Sequence, residues 1–237
     1  MWKNQNKTEM KTIHNLIIVA HPDDEVLGCG ATAAKLIEQG EKVRAVILCS
    51  KAKARRNSPK SEQLVDNIFK ASKILGFQEP ILGNYENLSF NKYTHLEIVQ
   101  FIEKTLPKNG QLRIFTHHPG DLNDDHSVCT QTTLAASRFY QRVSSSCKLI
   151  EILLMEIQSS TDWSYPQIKT PFIPNKFYCI KKYLNKKISA LNQYSDVIRP
   201  YPHPRNETGV RALSMVRGMQ SGLEYAEAFH SVYNVNY

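Results

Sequence analysis

Residues 13–20, IHNLIIVA, form a short apolar run with β-branched residues, and the chain passes from it straight into HPDDE, where His21, Asp23, Asp24 and Glu25 put four ionisable groups in five positions. An uninterrupted apolar run of this length suits a strand buried on both faces of a parallel sheet. After the charged cluster, GCGATAAKLIEQG places Ala34, Leu36 and Ile37 at helical spacing, with Gly40 where a C-terminal cap belongs. The unit then repeats. VRAVILCS (43–50) reads as a strand, a basic loop follows, and a helix spans 61–75 up to Gly76. A short strand at 80–82, a helix at 94–106, a strand at 112–118, a helix at 126–140 and a strand at 148–156 continue the alternation. This pattern predicts an α/β, three-layer Rossmann-like domain with a mostly parallel sheet joined by right-handed crossovers.

The last part, from about 157 to 237, changes character. Prolines at 166, 171, 174, 200, 202 and 204 divide it into loops around helical stretches at 181–194 and 207–221. It is expected to be loop-rich and helical and to pack on the same domain. No repeat, low-complexity segment or linker divides residues 1–237, so one domain is expected. A chain of 237 residues lies in the range where one α/β domain buries its own core.

Composition narrows the setting. With 41% hydrophobic and 22% charged residues the chain falls near the average for soluble globular proteins. No apolar run approaches the roughly 18 residues of a membrane span, and the polar N-terminus lacks the pattern of a secretory signal, so a cytoplasmic location is expected. The five cysteines are widely separated and include no CxxC pair, which argues against a disulfide framework or a thiolate metal site and for reduced, mostly buried thiols. A net charge of +8 is compatible with an anionic small-molecule substrate. The basic segments 51–60 and 181–187 lack the aromatic interleaving of a nucleic-acid surface, so no nucleic-acid partner is expected. A homo-oligomer remains compatible with the sequence.

Ligands of an open parallel sheet bind beyond the carboxyl ends of its strands, so the residues just after strands carry the chemistry. Two such places are rich here: His21 to Glu25 after the first strand, and His117, His118, Asp121, Asp124, Asp125 and His126 after the strand at 112–118. Two imidazoles and a carboxylate with open positions make a catalytic metal site. His21, Asp24 and His126 are the expected ligands, for Zn2+ or another divalent first-row ion. Asp23 is the expected general base, able to take a proton from metal-activated water and return it to a leaving amine. A turn needs only one such residue, and four ionisable groups this close would repel without a cation. Asp124 is better read as a helix cap. His14 and His95 read as structural histidines, and GCG (28–30) lacks the third glycine of a dinucleotide fingerprint.

At these residues the chain resembles the PIG-L/LmbE family of zinc-dependent N-deacetylases. AHPDDEVLGCGATAAKLIEQG matches the family's first motif and its helix, HHPGDLNDDHS has the place and terminal Asp-His of its second, and PHPRNETGVRAL with RG and YAEAF resembles its closing segment. The resemblance implies a Rossmann-like fold, zinc on His21, Asp24 and His126, Asp23 as base, and hydrolytic removal of the N-acetyl group from an N-acetylglucosamine-type conjugate. One departure stands out: many members carry a His where this chain has Asn123, and that His helps to stabilise the oxyanion. Asn can donate one hydrogen bond but cannot be a cation, so either the role is weaker here or it passes to His118, His117 or His203. Asp125 either orients an imidazole or caps the helix. Asp121, Asn123, His203 and Arg56 (or Arg55) are the expected substrate contacts. Two alternatives compete: a non-catalytic metal- or sugar-binding member of the same fold, and a Rossmann-type nucleotide-binding protein, whose phosphates the HPDDE carboxylates would repel unless a cation intervened.

Overall fold

The computed structural model describes residues 12–51 and 61–237. Strand β1 (Ile13–Val19) lies parallel to both β2 (Lys42–Lys51) and β4 (Asn109–His117). Its alternate side chains enter opposite layers: Ile17 and Val19 join one core, Leu16 and Ile18 the other. Both faces are dry, which is why the run is apolar throughout instead of alternating. Helices α1 (Asp24–Glu38), α2 (Ser61–Leu75) and α6 (Leu184–Leu191) cover the first face. Helices α3 (His95–Thr105) and α4 (Asp124–Ser137) cover the second.

The sheet is completed by β3 (Gln78–Glu86), β5 (Ser146–Met155), β6 (Lys176–Cys179) and β7 (Ala226–Asn234), in the order β3-β2-β1-β4-β5-β7-β6. Chain order reverses between β1 and β4, the topological switch point at which an open α/β sheet forms its ligand crevice. The first five strands of that order run parallel, and β7 is antiparallel to β5 and β6. The α/β class and mostly parallel sheet expected from the sequence are therefore present. No helix among the described residues is long and apolar enough to cross a membrane.

Several element boundaries differ from the expectation. The C-terminal part is not only loops and helices, since it supplies two strands to the sheet. β6 has four residues, and β7 interrupts its apolar pattern with Glu227, a buried carboxylate, so neither shows the run or alternation by which a strand is read. The short strand at Pro80 extends over nine residues, with Pro80 tolerated on the edge strand β3. The helix expected at 126–140 is broken into α4 and a single turn, α5 (Phe139–Arg142). Helix α7 (Glu207–Ser221) begins on the cap of Asn206, whose side chain accepts from Gly209 N, and ends at Gly222 with φ 70°.

Helix α1 is kinked at Cys29 (φ −150°, ψ 19°), just after Gly28, whose missing Cβ would lie 2.3 Å from Met155 Sδ. The kink strands backbone groups on both sides, and one buried ion pair satisfies them. Lys187 Nζ donates to Leu27 O at 2.7 Å and to Glu227 Oε1 at 2.6 Å, while Glu227 accepts from Ala31 N at 3.1 Å and Thr32 N at 2.6 Å. Removing one partner leaves an uncompensated buried charge, which is more damaging than removing both. Urea unfolding of Glu227→Ala is expected to show a loss of about 3–5 kcal/mol, and Lys187→Met with Glu227→Gln a smaller one. A loss below about 1 kcal/mol for Glu227→Ala would show that water already reaches the Lys187 ammonium.

Candidate metal centre and active site

The crevice at the switch point receives one loop from β1 and one from β4. His21, at the end of β1, and His126, in the first turn of α4, bring Nδ1 and Nε2 to 3.1 Å from each other. Asp24 Oδ2 lies 3.2 Å from His126 Nε2 and 3.4 Å from His21 Nδ1. All three residues are buried. A tetrahedral ion with bonds of about 2.0–2.1 Å separates its ligand atoms by about 3.3–3.4 Å, so this triangle matches the edges of such a site.

The other ring nitrogens explain why these atoms are the ones left for an ion. His21 Nε2 is 3.0 Å from Asp125 Oδ2, an acceptor that takes the proton of that nitrogen and turns the Nδ1 lone pair inward. Asp121 Oδ2 is 3.1 Å from His126 Nδ1, somewhat off the N–H direction, and places the His126 proton on the outer nitrogen in the same way. Once each ring keeps only its outer proton, two nitrogen lone pairs and a carboxylate oxygen converge on one point, a donor set that a divalent cation satisfies.

A second grouping, His117 with Asp121 and His126, is weaker. His117 Nε2 already accepts Ala20 N–H at 2.9 Å, and its ring stacks on His126 at 3.9 Å between centroids. Asp121 is likewise taken, accepting from Ser160 Oγ, from Thr161 Oγ1 at 2.7 Å and from Asn123 N at 2.8 Å.

Electrostatics follow from this packing. Burial opposes charge on His126, but the Asp24 and Asp121 carboxylates outweigh it and push the imidazole up to about 10. Burial would raise Asp24, yet the His126 and His117 imidazoles hold it well below the usual carboxylate range. Burial and the neighbouring His126 drive His117 down to about 3, consistent with a neutral ring that accepts at Nε2. Glu25 is pushed by burial up to about 8, although Tyr194 donates to it at 2.6 Å.

Asp23 stands beside the triangle in a left-handed conformation, φ 101°, with its backbone N donating to Glu25 Oε2 at 3.0 Å. Strain of this kind in a non-glycine residue persists only where the surroundings impose it, and it accumulates at functional sites. Here two successive carboxylates reach different partners. Asp24 meets the imidazoles, whereas Asp23 Oδ2 lies 3.4 Å from Arg205 Nη1. A cavity of about 430 Å³ opens alongside, lined among others by Leu88, Leu122, Asn123, Asp125, Ser159 and Arg205.

The remaining expected residues fall in several places. Asn123, not Asp124, is the helix cap: its side chain accepts from Asp125 N at 2.9 Å while it lines the cavity. Asp125 points to His21 and also accepts from Leu88 N at 2.6 Å and Phe90 N at 3.0 Å, so it orients an imidazole and does not cap α4. Asp121 spends both oxygens on protein donors behind His126, which does not fit the expected substrate contact. His118 accepts Gly120 N–H at Nδ1 and packs against Phe172 and His230. His203 accepts Arg205 N–H at Nδ1, with its ring against Trp163. Arg55 and Arg56 lie outside the described residues. Sequence reasoning passed over Arg205, although it stood inside the closing segment PHPRNETGVRAL, directly before the cap of α7.

Comparison with known proteins agrees with the fold and bears on the chemistry. Residues 16–137 match the PIG-L family model, described as GlcNAc-PI de-N-acetylase. An uncharacterized deacetylase of Escherichia coli strain K12, YaiS, is 26% identical over 191 residues, covering 76% of this chain and 89% of that one. N,N'-diacetylchitobiose deacetylase from Pyrococcus horikoshii superposes with a TM-score of 0.72 at 18% identity, over 97% of this chain and 86% of that one. GalB, the 4-carboxy-2-hydroxymuconate hydratase from Pseudomonas putida KT2440, superposes with a TM-score of 0.69 at 16% identity, over 95% and 98%. At such identities the two structures speak for the fold alone, and their different reactions show that the fold does not choose between them.

Two outcomes follow from the geometry. Because the Asp24 and Asp121 carboxylates raise the His126 imidazole, a divalent ion must displace a proton there, so uptake at pH 7 is expected to release about one proton. Affinity should then rise with pH until about 10, the sign set by a raised imidazole pKa. Calorimetry in buffers of different ionisation enthalpy measures this, and uptake without proton release would contradict it. Asp125→Asn, which loosens His21, is expected to weaken metal affinity by about 10–100-fold, read by competition with a chelating dye.

Proposed function

The chain belongs to the PIG-L family, the GlcNAc-PI de-N-acetylases, and on that premise we propose that it is a metal-dependent hydrolase removing the acetyl group from an N-acetylated amino sugar of the N-acetylglucosamine type. One observation supports this reading above others: the His21, Asp24 and His126 triangle has a second carboxylate, Asp23, beside it, and Asp125 and Arg205, which contact His21 and Asp23, line an adjoining cavity. A divalent ion, for which zinc is the proposed identity, would when bound acidify a water and polarise the acyl carbonyl. His21, Asp24 and His126 would hold that ion. Asp23 takes the proton of the attacking water as the new C–O bond forms, then delivers it to the nitrogen as the C–N bond breaks. The products are acetate and a free amine.

Asp125 and Asp121 serve as orienting groups for His21 and His126. The cavity, about 430 Å³, falls in the range of small-molecule sites, large enough for a sugar ring and part of what it is attached to. Leu88 and Leu122 give it an apolar side, and Asn123 and Arg205 a polar one.

Acetate release from a panel of N-acetylglucosamine conjugates, with zinc supplied, tests the proposal. Chelator is expected to abolish release, and Asp23→Ala to lower it by about 10²–10⁴-fold while leaving metal content unchanged. Zinc-loaded protein that binds amino sugars without releasing acetate would instead indicate a non-catalytic binding member.

A further inference from the structure

We infer that Arg205 supplies the positive charge that meets the oxyanion of the tetrahedral intermediate; the inference rests on the amide-hydrolase reading above. When water attacks an amide carbonyl, the π electron pair moves onto the carbonyl oxygen. A negative charge formed in a crevice with little water needs a donor already in place. Each imidazole expected to provide one has a ring nitrogen engaged by a backbone N–H and stands outside the cavity lining: His117 accepts Ala20 N–H, His118 accepts Gly120 N–H, and His203 accepts Arg205 N–H. Asn123 lines it but uses its side-chain oxygen to cap α4 and carries no charge.

Arg205 lines the cavity, carries a planar cationic guanidinium, and is rigidly mounted. Its Nε donates to Gln158 O at 3.0 Å and to Ser159 Oγ at 2.7 Å. Ser159 is itself in a left-handed conformation, φ 62°, so the backbone accepts strain where it holds the guanidinium. On the other side the loop is clamped to α7: a Cβ on Gly209 would lie 2.1 Å from Pro204 O, and Asn206 Oδ1 accepts Gly209 N at 2.9 Å.

This mount leaves Nη1 3.4 Å from Asp23 Oδ2, and Nη2 donates to no protein atom among the described residues. With its side chain only 15% exposed, the guanidinium keeps free N–H groups next to the base that deprotonates the water. The oxygen that gains the electron pair therefore forms within their reach. When the intermediate collapses, that pair returns to rebuild the carbonyl, the C–N bond breaks, the nitrogen takes the proton from Asp23, and Arg205 is released unchanged.

A purely structural ion pair with Asp23 would predict a different response to mutation, and the experiment separates the two. In the zinc-loaded full chain, Arg205→Ala is expected to lower kcat for acetate release about 10²–10³-fold with KM changed by less than about threefold. Guanidinium ion at sub-denaturing concentration is expected to recover about tenfold of the lost rate in the variant and none in wild type. A kcat within about threefold of wild type, a loss confined to KM, or a folded variant that guanidinium does not rescue overturns the inference. Should Arg205→Ala lose its melting transition, Arg205→Lys decides: a kcat within about tenfold of wild type supports it, and a loss beyond about 10²-fold at unchanged KM overturns it. Wild-type protein that releases no acetate at all sinks the hydrolase reading itself, whereas equal turnover by wild type and Arg205→Ala sinks this inference alone.

Discussion

The Asp24 carboxylate organises the centre of this molecule. Its Oδ2 accepts His21 N–H at 3.0 Å and faces ring nitrogens of His126, His21 and His117 at 3.2, 3.4 and 3.6 Å. A buried carboxylate is tolerated only where partners replace the water it has lost. Here those partners come from both ends of the switch point, so satisfying one oxygen requires β1 and β4 to be neighbours with their loops in contact. The pairing of the strands and the assembly of the site are in this sense the same event.

Around that centre, each further loop is held by one charged side chain. Asp125 ties the segment at Leu88 and Phe90, following β3, to His21. Asp121 ties Ser160 and Thr161, following β5, to His126. Arg205 ties Gln158 and Ser159 to the start of α7 and reaches Asp23. A group that orients a histidine of the candidate metal centre on one side thus fixes a wall of the cavity on the other. Loosening one such group is expected to disturb ligand orientation and cavity shape together, because low-dielectric polar networks are satisfied as wholes.

The same logic operates away from the site. The kink of α1 brings its first turns, with Asp24 and Glu25, against β5 through Gly28, and the Lys187–Glu227 pair satisfies the backbone that the kink exposes. That pair comes from α6 and β7, so the C-terminal part of the chain stabilises a helix whose first turn carries the site.

Much of this was legible in the order of residues. The run IHNLIIVA suits a strand covered on both faces, the alternation that follows reads as a parallel sheet with crossover helices, and HPDDE with DDH marked where charge gathers at strand ends. Those are local signals, carried by periodicity and by the cost of crowding ionisable groups. Three matters were decided only in three dimensions. Strands β6 and β7 depend on neighbours that make a short or polar-interrupted segment worth burying, and Glu227 is buried because Lys187 and the open turn of α1 await it. The roles of Asp121, Asn123 and Asp125 depend on which donor each meets, and three polar residues within five positions of one loop cannot be told apart without those donors. Arg205 shares no sequence neighbourhood with Asp23, 182 residues away, and one arginine in a loop is indistinguishable from a solvated one until the fold places it beside a buried carboxylate. The sequence by itself determined the sheet, its crevice and the atoms able to hold an ion; the tertiary structure decided which charges face one another, because that depends on contacts between residues with no local relation along the chain.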